Sequence, residues 1–220
     1  MSSDPTAATR RGELYVIAAP SGAGKTSLMN SALAEFEALK FSVSDTTRAP
    51  RGREVDGEHY HFIDRAEFDR RVAAGRYLEH AEVFGNGYGT DRAQVEARWA
   101  EGCDVLLEID VQGAAQVRRH YPQCCQIFVL PPSLDVLEAR LRGRGTDQPE
   151  VIARRLAEAQ TEMRACLDFD WILVNDDFDQ ARAELIAIIR AWPLRRERQQ
   201  HEQRVRLSDL LGGSLDGLLD

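Results

Sequence analysis

The stretch L-Y-V-I-A-A-P-S-G-A-G-K-T-S, Leu14 to Ser27, decides the fold. Its opening run is rich in β-formers and reads as a buried strand. The turn that follows, Ala19, Pro20, Ser21, Gly22, Ala23 and Gly24, ends in Lys25, Thr26 and Ser27. Gly22 and Gly24 let the backbone bend tightly enough for successive N–H groups to converge on phosphate oxygens. Lys25 adds a compact positive charge, and Thr26 or Ser27 offers a hydroxyl to a magnesium ion, Thr26 first. Leu28, Ala32 and Leu33 begin a helix whose positive N-terminal end faces the same anion. Ala19 occupies the first glycine position of G-x-x-x-x-G-K-[ST]; the strand before and the helix after are the context that confirms the pattern. Of 28 basic residues only Lys25 and Lys40 are lysines, so a lysine at the one point where a point charge suits a β/γ-phosphate carries information.

A chain of 220 residues, 43% hydrophobic, can bury one full core with a subdomain inserted or appended. No apolar run approaches the roughly 20 residues needed to cross a bilayer. Met1 to Arg11 lacks the apolar centre of a signal peptide, so a cytoplasmic chain that binds no membrane is expected. The net charge of −8 argues against binding a nucleic-acid polymer while leaving room for a local basic pocket. Cys103, Cys124, Cys125 and Cys166 lack metal-ligand spacing and read as reduced thiols.

Along the chain, a helix is expected from Lys25 to about Leu39 and a strand from Phe41 to Ser44. Asp45 to Gly57, with Arg48, Arg51 and Arg53 among proline and glycines, reads as a basic loop and not a packed element. His59 to Ile63 alternates as a short strand, and Asp64 with Glu67 caps a short helix stopped at Gly75. Tyr77 to Phe84 is strand-like, and the tight segment Gly85 to Thr90 leads to Asp91, an N-cap for a helix to about Glu101. Cys103 to Ile109 and Gln126 to Leu130 are near-continuous apolar runs, each followed by a helical pattern. Buried parallel strands with crossover helices look like this. Arg140 to Asp147 reads as a basic turn, Glu150 to Leu167 as a long helix, Trp171 to Val174 as a last strand and Phe178 to Trp192 as a closing helix. The expected class is α/β, a parallel sheet with helices on both faces.

The segments F-S-V-S-D-T-T-R-A-P-R (Phe41 to Arg51), G-E-H-Y (Gly57 to Tyr60), Y-L-E-H-A-E-V-F-G-N-G-Y-G-T (Tyr77 to Thr90), L-E-I-D-V-Q-G (Leu107 to Gly113), L-R-G-R-G (Leu141 to Gly145) and V-N-D-D (Val174 to Asp177) resemble those of guanylate kinases, in the family's order and spacing. The resemblance implies a domain over residues 14–194, with a GMP-binding lobe at about 44–88 and a short lid at about 142–148. A disordered N-terminus, 1–13, and a tail, 195–220, lie outside it. The tail stays open between an appended helix and a frayed end, and a homo-oligomer is left open.

For the acceptor, the resemblance implies that Arg48 and Arg51 grip the α-phosphate with Tyr60 and Tyr88, a task suited to arginine's fork. Glu79 would read guanine, since a carboxylate accepts from both N1–H and the 2-amino group. Ser44 and Thr90 would serve the rest of the base edge, with Asp110 near the base and the metal-bound phosphates. For ATP it implies the loop Ala19 to Ser27, Arg140 and Arg144, and Asn175 against the adenine. Lys25, Arg140, Arg144 and Arg155 would carry catalysis with Mg2+. Three departures stand out: Glu108 where the family usually has aspartate, Gly87 where it usually has an aromatic, and the order R-G-R-E from Arg51 to Glu54. The implied reaction moves the γ-phosphoryl of MgATP to GMP or dGMP, giving ADP and GDP or dGDP. The rivals are a P-loop kinase for another phosphorylated acceptor, which would need no base reader, and a non-catalytic phosphoprotein-binding module, in which the P-loop would be degraded.

Overall fold

The computed structural model describes residues 12–83, 85–143 and 149–212. In chain order its elements are β1 (Leu14–Ala18), α1 (Lys25–Glu35), β2 (Leu39–Phe41), β3 (Asp45–Thr46), β4 (His61–Phe62), α2 (Arg65–Ala73), β5 (Tyr77–Val83), β6 (Asn86–Asp91) and α3 (Arg92–Ala100). There follow β7 (Asp104–Glu108), α4 (Val111–His120), β8 (Cys125–Leu130), α5 (Leu134–Gly143), α6 (Pro149–Met163), β9 (Trp171–Val174), α7 (Phe178–Ala191), α8 (Arg196–Glu202) and α9 (Arg204–Leu211).

Five strands form a parallel sheet in the order β2-β7-β1-β8-β9. Every residue of β1 is buried, because alternate side chains enter different cores. Tyr15 and Ile17 pack with Leu28 and Met29 of α1 and Leu185 of α7, whereas Leu14 and Val16 pack with Trp99 of α3 and Val117 of α4. A strand covered on both faces has no polar side to show, which is why its sequence is uniformly apolar.

The second sheet, β4-β3-β6-β5, corrects two readings of the sequence. The expected basic loop begins with β3, whose Asp45 and Thr46 are 1% and 0% exposed. Burying Asp45 is made tolerable by Tyr77, whose hydroxyl donates to Oδ2 at 2.7 Å, and by Arg71, whose Nη1 donates to the same oxygen at 2.5 Å. The segment from Gly85 to Thr90 supplies a strand as well, since β6 pairs antiparallel with both β5 and β3. Its glycines conceal the alternation that marks a strand. A Cβ on Gly87 would lie 2.6 Å from the Phe68 ring and one on Gly89 2.9 Å from Tyr77, so neighbouring aromatics already fill the side-chain space.

Helix α1 stops before the expected Leu39, because Phe36 turns extended (φ −116°) and packs against the core. Asp64, Asp91, Asp110 and Asp177 each cap a helix through a side-chain oxygen. α5 and α6 share a small core of Leu137, Leu141, Ile152 and Ala159. The segment 144–148 between them, most of the expected lid, lies outside the described residues.

At the opposite end of the sheet, order begins before Leu14. Glu13 is 3% exposed, and its backbone N–H donates to Asp104 Oδ1 at 2.8 Å. Its carboxylate faces Arg195 at 3.1 Å and Arg198 of α8 at 3.3 Å. Oε1 accepts no hydrogen bond and is met by the charge of Arg198. Removing both cations strands a buried carboxylate, a change that typically costs 3–5 kcal/mol. The double variant Arg195→Ala, Arg198→Ala should therefore lose about 3 kcal/mol in urea unfolding, and an unchanged midpoint would show that the C-terminal helices are not anchored through Glu13.

Candidate active site

The carboxyl ends of β1 and β7 set the first half of the site. Gly22 (φ 96°) and Gly24 (φ 91°) turn the chain from β1 into α1 through left-handed conformations, and a Cβ on Gly24 would lie 2.3 Å from Asn175 Nδ2. Asn175 is 5% exposed and donates Nδ2 to the Ala23 carbonyl at 2.7 Å. Arg140 of α5 joins the same cluster, donating Nη1 to the Ala23 carbonyl at 3.4 Å and Nη2 to the Asn175 carbonyl at 3.0 Å. Pro20 and Ala23 are buried, Ala19 is half-buried, and Ser21, Thr26 and Ser27 are exposed. The turn is thus supported from behind while its hydroxyls face outward.

Glu108 at the end of β7 joins this group, which sequence reasoning had left without a role. One oxygen, Oε1, lies 3.5 Å from Lys25 Nζ and accepts from Thr26 Oγ1 at 3.3 Å. Burial raises the Glu162 carboxyl on α6 while Lys25 lowers it, which puts the end of α6 within electrostatic reach of the P-loop. Arg155 is half-buried on α6. Arg142 pairs with Glu138 on its own helix at 2.5 Å. Arg144 lies outside the described residues.

The second sheet supplies two further clusters. In the first, Thr90 Oγ1 donates to Glu79 Oε1 at 2.5 Å, with Ser44 Oγ 3.5 Å from Thr90 Oγ1. Glu79 is 3% exposed on β5, where a bulge shifts the pairing between Tyr77 and Glu79. Its carboxyl is pushed up to about 7, chiefly by burial; Thr90's hydrogen bond opposes this and nearby Asp110 adds to it. Asp110 reaches the cluster from the start of α4, where its Oδ1 accepts from Gly113 N at 2.8 Å. A Cβ on Gly113 would lie 2.4 Å from Glu79 Oε2, so that glycine makes room for the carboxylate.

In the second cluster, Arg48, 8% exposed, donates Nε to Tyr88 Oη at 3.2 Å and lies over the Tyr60 ring, 5.3 Å from its centroid. Tyr60 and Tyr88 meet edge-on at 5.9 Å. Arg51 is exposed on the adjoining turn. Glu54, also absent from the sequence-based site, takes both terminal nitrogens of Arg48 at 2.9 Å. The Tyr60 hydroxyl is pushed up to about 12, by burial first and by the Glu108 carboxylate second, so the end of β7 lies within electrostatic reach of this cluster.

A family model described as guanylate kinase matches residues 11–192. The chain belongs to the guanylate kinase family. It is 55% identical over 201 residues to a guanylate kinase of Alkalilimnicola ehrlichii, covering 91% of this chain and 99% of that one. With a guanylate kinase of Idiomarina loihiensis it shares 51% identity over 209 residues, 94% and 100% of the two chains. The crystal structure of guanylate kinase from Anaplasma phagocytophilum is similar at a TM-score of 0.70 and 35% identity, covering 85% of this chain and 89% of that one. The family model ends near the close of α7, whereas the match to the Idiomarina loihiensis relative, at 94% of this chain, extends into the C-terminal helices.

Asp45 sits directly after Ser44 and fixes the strand that carries it, so the Tyr77 to Asp45 hydrogen bond supports the site from below. Hydrogen bonds to charged groups are worth about 1.5–3 kcal/mol. Tyr77→Phe is expected to lower stability by about 2 kcal/mol and to speed amide exchange across residues 45–91. Slow exchange there, unchanged from the parent, would count against this brace.

Proposed function

We infer that the chain catalyses transfer of the γ-phosphoryl of ATP to GMP, or dGMP, giving ADP and GDP, or dGDP, in purine nucleotide metabolism. Family membership over nearly the whole chain supports the reaction. The assignment of parts is carried by three polar clusters, Lys25 with Thr26 and Glu108, Glu79 with Ser44, Thr90 and Asp110, and Arg48 with Tyr60 and Tyr88, the last within electrostatic reach of Glu108 through Tyr60.

The turn from Ala19 to Ser27 would hold the ATP phosphates on backbone N–H groups at the start of α1, with Lys25 at the transferring group. Arg140, Arg144 and Arg155 would add positive charge as the lid closes. Asn175 supports the nucleotide site by holding the Ala23 carbonyl, and its carboxamide is assigned to the adenine side. Glu79 would accept from guanine's N1–H and 2-amino group, while Ser44, Thr90 and Asp110 complete that edge. Adenine offers no such pair of donors, and a site built for hydrogen bonds discriminates by leaving groups unpaired. Arg48 and Arg51 with Tyr60 and Tyr88 would fix the acceptor phosphate.

No general base is required, since the attacking phosphate oxygen is already anionic. Catalysis reduces to in-line alignment and neutralisation of charge in a site that excludes water. Among the described residues no group of three or more His, Cys, Asp and Glu side chains is placed to hold a metal ion alone. A hydroxyl and a carboxylate sharing one point, Thr26 and Glu108, fit a magnesium ion that takes its remaining ligands from nucleotide phosphates and water. Bound there, magnesium would offset the phosphate charge. Lys25 and the arginines would orient the two phosphates toward each other.

A coupled assay of ADP formation with GMP, AMP, UMP and CMP tests the reading: strong preference for GMP is expected, and equal turnover of AMP would refute the base-reader assignment. Lys25→Ala should abolish turnover in a folded protein. The raised carboxyl of Glu79 gives a pH signature. Below about 7 the free protein holds a proton on Glu79 that guanine's donors must expel, whereas above it the carboxylate is ready. The KM for GMP should rise as pH falls through 7, approaching about tenfold per unit, and GMP binding should release a proton near neutrality. Glu79→Gln should have a high KM that is flat across this range, and a parent KM independent of pH would remove Glu79 from the base contact.

A further inference from the structure

The arginine expected to grip the acceptor phosphate is almost fully occupied by the protein. Arg48 has five N–H donors. Nε donates to Tyr88 Oη at 3.2 Å, and Nη1 divides its two between the Ala49 carbonyl at 2.8 Å and Glu54 Oε2 at 2.9 Å. Nη2 gives one to Glu54 Oε1 at 2.9 Å. One N–H remains. Planar guanidinium geometry fixes its direction: when the Nη1/Nη2 end is closed by a carboxylate, the remaining Nη2–H runs parallel to Nε–H, along the edge where Tyr88 sits.

We propose that Glu54 is a positioning residue for the acceptor phosphate, closing the end of the Arg48 fork so that only the edge beside Tyr88 is presented to a phosphate monoester. Tyr88 accepts from Arg48 with its oxygen and so keeps its own proton to donate. A phosphate oxygen approaching that edge meets two donors, Nη2–H and the Tyr88 hydroxyl. Tyr60 lies against the guanidinium face and limits its tilt. Glu54 is itself held: Arg51 N donates to its Oε2 at 2.7 Å, and its own N–H donates to the Arg51 carbonyl at 3.0 Å. One carboxylate therefore joins the backbone of Arg51 to the side chain of Arg48 and sets the spacing of both phosphate cations.

Charge assigns the carboxylate a second effect. Arg48 without a partner would be a general anion site, attractive to inorganic phosphate or to a nucleotide phosphate in the wrong pose. Paired with Glu54, it contributes directed hydrogen bonds with its net charge largely cancelled, which favours a ligand that fits over one that is merely anionic. Arg48 also holds the Glu54 carboxyl below the usual range, so the pair stays ionised.

This role rests on the proposed placing of the GMP phosphate, and the test separates the two. GMP and guanosine, which has no phosphate, are titrated by NMR into the full chain and into Glu54→Gln. The parent should bind GMP far more tightly than guanosine; if it does not, the phosphate-grip reading fails and the role of Glu54 with it. Glu54→Gln should lose on the order of tenfold in GMP affinity, the scale of one charge-assisted hydrogen bond, with guanosine affinity unchanged. In the assay it should raise the KM for GMP and leave that for ATP. In an Arg48→Ala background the same change should cost much less GMP affinity than in the parent, because only the hold on Arg51 is then left to lose, and a loss as large as in the parent would overturn the action through Arg48. Equal loss for both ligands would make Glu54 a mere loop brace. Unchanged GMP affinity would make it idle, and tighter GMP binding would make it a competitor of the phosphate. If Glu54→Gln does not fold, Glu54→Asp, which withdraws the carboxylate by one methylene, must show the same split between ligands, and an Asp variant that binds GMP like the parent overturns the proposal.

Discussion

Everything at the nucleotide end of the molecule depends on the Ala23 carbonyl. This buried acceptor belongs to a turn that two glycines carry through left-handed conformations without strain, and glycine's freedom leaves the surroundings to select this one shape. Asn175, just after the last strand, and Arg140, from α5, both donate to that single oxygen. The turn after the first strand, the end of the last strand and helix α5 therefore meet at one atom. The sheet order brings them together, since β1 is central and β8 lies between it and β9.

Electrostatics repeats one device on both sides of the cleft. Lys25 faces Glu108 and Arg48 faces Glu54, so each cation proposed to meet a phosphate rests beside a carboxylate. The two pairs differ in geometry. Glu108 approaches Lys25 with one oxygen at 3.5 Å and shares it with a hydroxyl, an arrangement open to other ligands. Glu54 engages Arg48 with both oxygens at 2.9 Å, an arrangement that fixes orientation. An ammonium is a point charge and a guanidinium a planar fork, and the partners follow that distinction.

The parallel sheet was legible because strands buried on both faces leave uninterrupted apolar runs, and Leu14 to Ala18 is the plainest of them. The second sheet was harder to read. β3 is two residues long and begins with a buried aspartate, and β6 alternates glycine with polar residues because rings from Phe68 and Tyr77 occupy its side-chain space. No local pattern reveals that, as the rings come from elsewhere in the chain. The site residues named from the sequence were those of the guanylate kinase motifs, where residue type follows from the chemistry of the ligand that the resemblance implies. Glu54 escaped because a carboxylate among arginines shows no partner until its distances to Arg48 are known, and Glu108 stood out only as a departure from the family's aspartate until its distances to Lys25 and Thr26 gave it a place.

The anchoring of Glu13 by Arg195 and Arg198 bears on how the chain is made. Synthesis runs from the N-terminus, so the carboxylate at the threshold of the central strand is complete long before the cations that neutralise it. Until α8 emerges, closing the sheet around β1 buries an uncompensated charge. Consolidation of the core is thereby tied to the emergence of Arg195 and Arg198, and a chain cut short before Arg195 carries that fault in the strand that leads into the Ala19 to Ser27 turn.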